Sequence, residues 1–481
     1  MRRVALAALL VLLPAVLAGC GSTLASAPVG DGAADLVPSS VDLYVVVDGD
    51  LEGERWAEAR ELLERFPRPD AFVDELLAER GAELDAALGP ELALAVVNLE
   101  YHEAVALTEP DDPEALERLV ADAGGVVAEL DRGWWAAAPD ERAIQRLLSA
   151  READGALAER EDFRRLTGDL PDDALARVFV RGGPVEDALA DLPTLPGELA
   201  RALDCLAAGR EVPSAALALR PEDEGVRVHG ALDRPDGWPE GGDGFSTITE
   251  TIPERPLLVA GAGSVPEGLD RALACAAGAD GEALQLLRLL GGGATSLLSG
   301  EIAVAVYPEP RRSDRPNPPT VALYAELAEE EQALSMVDEL AGLVSALVPG
   351  LTVEDVNLGE SAMARAKVVS LDGEPVLYVG AELGILVVSN AERGVAGVLT
   401  SHEAPLAADR RYTAAAEAAF GELPTDADAL LYLDLEAVEG QARALGAEAP
   451  WAGALEPLDT LFLRAEGDDE TVTVEGLLAF D

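Results

Sequence analysis

The chain has 481 residues, of which 49% are hydrophobic, so it has the apolar content of a folding protein and the length for two ordinary domains. Its formal net charge of −55 argues against nucleic acid as a partner, because phosphate binding needs clustered Lys and Arg. The same charge disfavours direct adsorption to an anionic bilayer. Among 35 basic residues only Lys367 is Lys, a pattern that suits a GC-rich genome, and the acidity suits a salt-adapted organism.

The chain opens with Met1-Arg2-Arg3 and an uncharged apolar stretch from Val4 to Ala18. That stretch falls short of the roughly 20 residues of a membrane span, but it fits the h-region of a secretory signal. It ends in Leu17-Ala18-Gly19-Cys20, which resembles the lipobox of bacterial lipoprotein signal peptides. The resemblance implies cleavage between Gly19 and Cys20, a diacylglyceryl group on the Cys20 thiol, and an extracytoplasmic, lipid-anchored protein. An ordinary signal peptide or an uncleaved anchor is the alternative. Residues 1–19 are therefore expected to be signal peptide. Losing Arg2 and Arg3 takes the charge from −55 to −57. Residues 20–35, small and polar, are expected to be a flexible tether.

From Leu36 the same series of elements occurs twice. Strand Leu43–Val47 finds a counterpart in Leu257–Ala260, and Glu91–Val97 in Glu301–Tyr307. The strand Ala104–Leu107 matches Val321–Tyr324, and each leads to an acidic amphipathic helix, at Pro113–Ala123 and Glu329–Leu347. Trp134–Ala138 precedes a helix at Asp140–Ser149 as Ile385–Val388 precedes one at Ala391–Thr400. Leu170-Pro171 leads to strand Val178–Val180, and Leu423-Pro424 to Leu431–Leu433. Each series closes on a hairpin with an acidic turn, Pro221–Gly225 or Glu466–Glu470. These matches predict an α+β chain of two tandem similar units, 36–233 and 250–481, joined by a linker over 234–249. Short strands that alternate or run apolar predict mostly antiparallel sheets with helices on one face. Part of the order, β-α-β-β-α-β, matches a ferredoxin-like arrangement.

Leu36-Val37-Pro38 with Tyr44–Asp48, Leu88-Gly89 with Glu91–Ala95, and Leu406–Asp409 ahead of Leu423-Pro424 and Tyr432–Asp434 resemble the bacterial family called domain of unknown function 3352. The resemblance spans nearly the whole mature chain. It implies an exported or membrane-anchored protein, and it brings no activity and no functional residue.

Few residues point to chemistry. Outside the cytoplasm Cys205 and Cys275 can pair as a disulfide, or stand as two separately buried thiols. His102 and His402 are each followed by Glu but lack the second His of a helical zinc-protease motif, and His229 stands alone in a strand. No ligand-spaced cluster predicts a metal, no Gly-x-Ser-x-Gly elbow predicts a hydrolase nucleophile, and no cofactor is expected. Gly291–Ser296 lacks the Lys of a phosphate loop. Asp48-Gly49-Asp50-Leu51-Glu52-Gly53 resembles half of a calcium loop, but Ala59 stands where the closing acid belongs. A polar turn before a helix starting near Gly53 is the expectation there. Of Trp134 and Trp135, one ring should face the core and the other outward, where it covers an adjacent helix or, as the alternative, contacts a glycan or a partner. The sequence thus predicts a non-enzymatic cell-envelope binding or scaffold protein, with a protein partner held at a cleft or sheet face between the units. The alternatives are an envelope hydrolase built on a carboxylate pair and a solute-binding lipoprotein.

Overall fold

A computed structural model describes residues 32–66, 86–99, 103–183, 212–235, 247–264, 298–308, 319–327, 350–356, 365–399, 404–444 and 456–481, with isolated positions between them. The expected signal peptide with Gly19 and Cys20, Cys205, Cys275, His102, His402, the loop expected at 291–296 and most of the linker expected over 234–249 lie outside the described residues. So does nearly all of the helix expected over 329–347. The chain is α+β, and every strand pairing among the described residues is antiparallel.

The chain divides into two compact units. Unit 1 contains residues 1–192, 211–233 and also 470–481. Its strands are β1 (Leu43–Asp48), β2 (Glu91–Asn98), β3 (Glu103–Thr108), β4 (Val126–Glu129), β5 (Trp135–Ala138), β6 (Ala176–Val180), β7 (Ala215–Glu222) and β8 (Gly225–Asp233). They lie in the order β4-β5-β3-β2-β1-β6-β7-β8. β1 is central: Leu43 pairs with Val96 of β2 on one side and with Val180 of β6 on the other.

Helices α1 (Glu54–Leu63), α2 (Pro113–Asp122), α3 (Glu141–Asp154) and α4 (Glu161–Gly168) cover this sheet. Local sequence starts two of them clearly. Asp112 accepts from the amides of Glu114 and Ala115 with Pro113 at the first helical position, and Asp140 accepts from Ala143. The helices occupy both faces, contrary to the one-face expectation. Tyr44 and Val46 of β1 pack with Ile144 and Leu147 of α3 and with Phe163 and Leu166 of α4. Val47 packs instead with Trp56 and Ala59 of α1. Consecutive strand residues point to opposite faces, and both faces of β1 carry apolar side chains. The ferredoxin-like expectation also fails. A split β-α-β makes its flanking strands parallel, whereas β1 and β2, on either side of α1, pair directly and antiparallel.

The tether expected over 20–35 does not hold for its last four residues, 32–35. Gly32–Asp35 form a 3-10 turn in which Ala33 and Ala34 have no exposed surface. The buried carboxylate of Glu91 fixes that turn by accepting from the Ala33 amide at 3.2 Å. Gly89, just before β2, is required by space and conformation: its φ is +62°, and a Cβ there would lie 1.9 Å from the Glu109 carbonyl oxygen.

Unit 2 spans residues 193–210 and 234–469. Its strands are β9 (Leu258–Ala262), β10 (Leu298–Tyr307), β11 (Thr320–Leu327), β12 (Leu351–Val356), β13 (Arg365–Leu371), β14 (Glu374–Glu382), β15 (Ile385–Ser389), β16 (Ala429–Asp434) and β17 (Leu458–Gly467). They lie in the order β12-β13-β14-β15-β11-β10-β9-β16-β17. Described helices are α5 (Glu392–Leu399), α6 (Arg410–Phe420) and α7 (Leu435–Ala444). Asp409 caps α6, and Gly421 ends it in the left-handed conformation. The aromatic core is tight: Tyr412 of α6 meets Tyr432 edge-on at 5.2 Å, and both meet Phe462.

The last strand, β18 (Thr471–Phe480), belongs to unit 1, where it pairs with β8. The expected boundary, with 250–481 as one unit, misplaces this strand.

Candidate functional site

In unit 1 the chain leaves a 3-10 turn at Leu157–Glu159 and enters α4, and Arg160 stands at that junction. Its Nε donates to Asp162 Oδ1 at 2.5 Å and its Nη2 to Oδ2 at 2.7 Å, a two-pronged pair that suits the planar guanidinium. Nη1 donates to the Ser39 carbonyl at 2.8 Å. One turn along α4, Arg165 donates from Nη2 to Asp233 at 2.6 Å and from Nη1 to the Glu470 carbonyl at 3.2 Å. Arg181, just after β6, donates to Asp42.

Two open depressions meet at Arg160. One, of about 570 Å³, is walled by Arg160, Asp162, Arg165 and Glu470. The other, of about 670 Å³, is walled by Ser39, Ser40, Asp154, Glu159, Arg160 and Arg181. In a chain with 35 basic against 90 acidic residues, three arginines on adjoining surfaces make this face unusual. Burial pushes the Asp162 carboxyl up, but the Arg160 guanidinium outweighs it and holds the group below the ordinary carboxylate value. Asp233 goes the other way: burial, with the Asp162 charge nearby, raises it despite Arg165. The hydroxyls are also engaged, Ser40 donating to the Asp154 carboxylate at 2.6 Å and Ser39 to its carbonyl at 2.8 Å. Chemically, the face can present positive and negative groups to a polar partner.

Residues singled out in the sequence fall elsewhere. Asp48 is 3% exposed, accepts from the Asp50 amide and lies 3.2 Å from Arg55 Nε. Burial raises its carboxyl, and Arg55 opposes that shift. The loop thus holds an arginine of α1 and precedes the helix at Gly53, as the polar-turn expectation has it. His229 lies 4.0 Å from Glu475, and burial lowers its imidazole below the ordinary value despite that carboxylate. The acidic turn after β7 holds arginines too: Glu222 accepts from Arg227 at 2.8 Å and from Arg220. Trp134 is in the core, and Trp135 packs beside Ala115 and Leu116 of α2.

Sequence reasoning passed over Arg160, Arg165 and Arg181 because no local motif marks them. Only long-range pairing brings them together. In unit 2 a comparable hub forms on Arg411, which reaches Asp434 at 3.0 Å, Glu436 at 2.6 Å and also Asp459. Burial raises the Asp434 carboxyl, and a hydrogen bond donated by the Ala437 amide and the Arg411 charge oppose it. Among the described residues no helix is long and apolar enough to cross a membrane.

Comparison with protein-family models, curated proteins and solved structures finds no match to the chain. The resemblance to the exported bacterial family therefore rests on the quoted residues alone.

Proposed function

We propose that this protein is a lipid-anchored component of the bacterial cell envelope, held outside the cytoplasm through Cys20, and that it works by binding a protein partner and not by catalysis. One observation carries the binding reading. The arginines of the Arg160 face are held rigidly at open, polar depressions, each by a carboxylate. Pre-ordered charged groups bind with less loss of side-chain freedom than mobile ones. Of the carboxylates that burial raises, Asp48, Asp233 and Asp434 are each paired with an arginine, while Glu58 lies among the charges of Glu54, Asp223 and Glu222 with Arg220 opposing its rise. Among the described residues the exposed large apolar side chains, Val126, Leu148, Leu217, Val321 and Leu383, lie on separate elements and make no wide patch of the kind a hydrophobic binder shows. Polar complementarity is accordingly the recognition mode proposed.

We infer in addition that the chain arose by tandem duplication. β1 lies between β2 and β6 as β9 lies between β10 and β16. The Leu157 amide donates to Val37 as Leu406 donates to Ile252. Glu91 takes the Ala33 amide, and Glu301 takes the amides of Thr247 and Ile248. Phe163 meets Phe179 edge-on at 5.2 Å, matching the Tyr412–Tyr432 contact.

The binding reading is tested by a photo-crosslinking residue at Ser40 in living cells, with the same residue at Leu383 as control. One discrete protein product at position 40, lost on Arg181→Ala, is expected. Equal labelling from both positions would overturn the proposal. A hydrolase is the second reading, favoured by Asp162 and Asp233, neighbouring carboxyls shifted in opposite directions. It ranks lower because both are tied to arginines on an open surface. Hydrolysis of an envelope polymer that disappears in Asp233→Asn would promote it.

A further inference from the structure

The strand at the very end of the chain closes unit 1. β18 pairs with β8 over nine residues, from Thr471 opposite Asp233 to Ala479 opposite Gly225. Val472 and Leu477 contribute fully buried side chains. A Cβ on Gly225 would lie 2.1 Å from the Leu478 carbonyl oxygen, so the glycine lets the strand approach that closely. Both ends of the strand are tied to distant parts of the chain. Arg165, 305 positions away, donates to the Glu470 carbonyl. Arg65, 415 positions away, donates to the Phe480 carbonyl, and Phe66 meets the Phe480 ring edge-on at 5.7 Å.

We propose that residues 470–481 are a C-terminal clasp: until they arrive, unit 1 presents the β8 edge as an acceptor for one strand, and the last twelve residues of this chain are the strand that it selects. Physical arguments favour a dedicated acceptor. An unpaired edge leaves a row of backbone donors and acceptors open. Backbone pairing supplies affinity in strand addition, and the side-chain fit supplies specificity. Here the fit comes from Val472 and Leu477 in the core, His229 opposite Glu475, and the two arginine ties. Loop-closure entropy grows only logarithmically with length, so the remote origin of the strand costs little at equilibrium. It does impose an order, because unit 1 cannot complete before unit 2 has been made.

Amide hydrogen exchange on the intact chain tests this. In the wild type, the β18 amides should exchange together with those of β7 and β8 and more slowly than a fraying terminus. In full-length Val472→Asp/Leu477→Asp, protection over 215–233 should fall by at least about 100-fold, because two buried apolar groups become charged. Protection over 258–262 and 429–434 should be unchanged. A synthetic peptide of residues 470–481, added to that variant, should restore protection at 225–233, and the same peptide carrying both substitutions should not. The clasp is overturned if β8 keeps its protection in the variant, if β18 exchanges as a frayed end in the wild type, or if the peptide leaves 225–233 unprotected.

Discussion

Asp162 sits between the Arg160 guanidinium and the Phe163 amide, so its folded-state pKa is lower than the ordinary 3.8. A carboxylate lowered in this way stabilises the fold fully above its unfolded pKa, and the contribution disappears as pH falls through the folded value. Urea midpoints measured from pH 5 down to pH 2 should therefore drop less steeply in Asp162→Asn than in the wild type; parallel curves would show that the pair adds nothing. Phe163 offers a packing test. It contacts Tyr44 at 6.0 Å and Phe179 at 5.2 Å, both edge-on, inside the main core of unit 1. Phe163→Ala should cost about 3–5 kcal/mol, read from chemical denaturation. Several residue-scale features were legible in the sequence: the polar turn at Asp48 and the split of Trp134-Trp135 into one core ring and one ring over a helix, though not which ring takes which place. The arginine pairs were not. Arg160 finds Asp162 two positions away, but Arg165 finds Asp233 and Arg181 finds Asp42 across the sheet, and no local spacing encodes those meetings.

Among the elements, α6 has the most informative start. Asp409 accepts from the amides of Arg411 and Tyr412, and its second oxygen accepts from Arg255, whose φ is +64°. One side chain thus caps a helix and fixes a strained turn. Asp409→Ala should cost about 2–3 kcal/mol, more than an ordinary cap, because it leaves the part-buried Arg255 amide without its acceptor as well. A loss below about 0.5 kcal/mol, the low end of ordinary capping, would show that the turn does not depend on it. Most strands and capped helices follow directly from alternation, Asp caps and proline placement. The meander β12–β13–β14 was missed, although Asp372-Gly373, with both φ values positive, is a strong hairpin signal. Its strands carry charged residues such as Asp355 and Lys367, which hide the apolar alternation. The one-face expectation for the helices failed for a related reason. Val45 and Val47 read as extra hydrophobicity in a short strand, but they form the second buried face of β1.

For the molecule as a whole, charge dominates. At a formal net charge of −55, self-repulsion destabilises the compact state, and the surface ion pairs named above contribute little individually. Raising salt from about 0.1 M to 1 M shortens the screening length from roughly 10 Å to 3 Å, so Tm should rise. A flat or falling Tm over that range would mean that the charges are already compensated locally. The strands of both series were readable from their apolar runs, whereas the allegiance of β18 was hidden because a strand does not announce its partner. Mass spectrometry of the native N-terminal peptide tests the anchor: a diacylglyceryl-modified Cys20 is expected, and an unmodified peptide beginning elsewhere would refute it.

The buried turn at Gly32–Asp35 sets a length. With Ala33 and Ala34 locked inside unit 1, the leash available to the proposed lipid runs only from Cys20 to Gly32. At about 3.5 Å per residue fully extended, it reaches at most roughly 40 Å. Unit 1 would then patrol a thin layer next to its membrane, and any partner bridging from an opposite surface would have to cover the remaining gap itself.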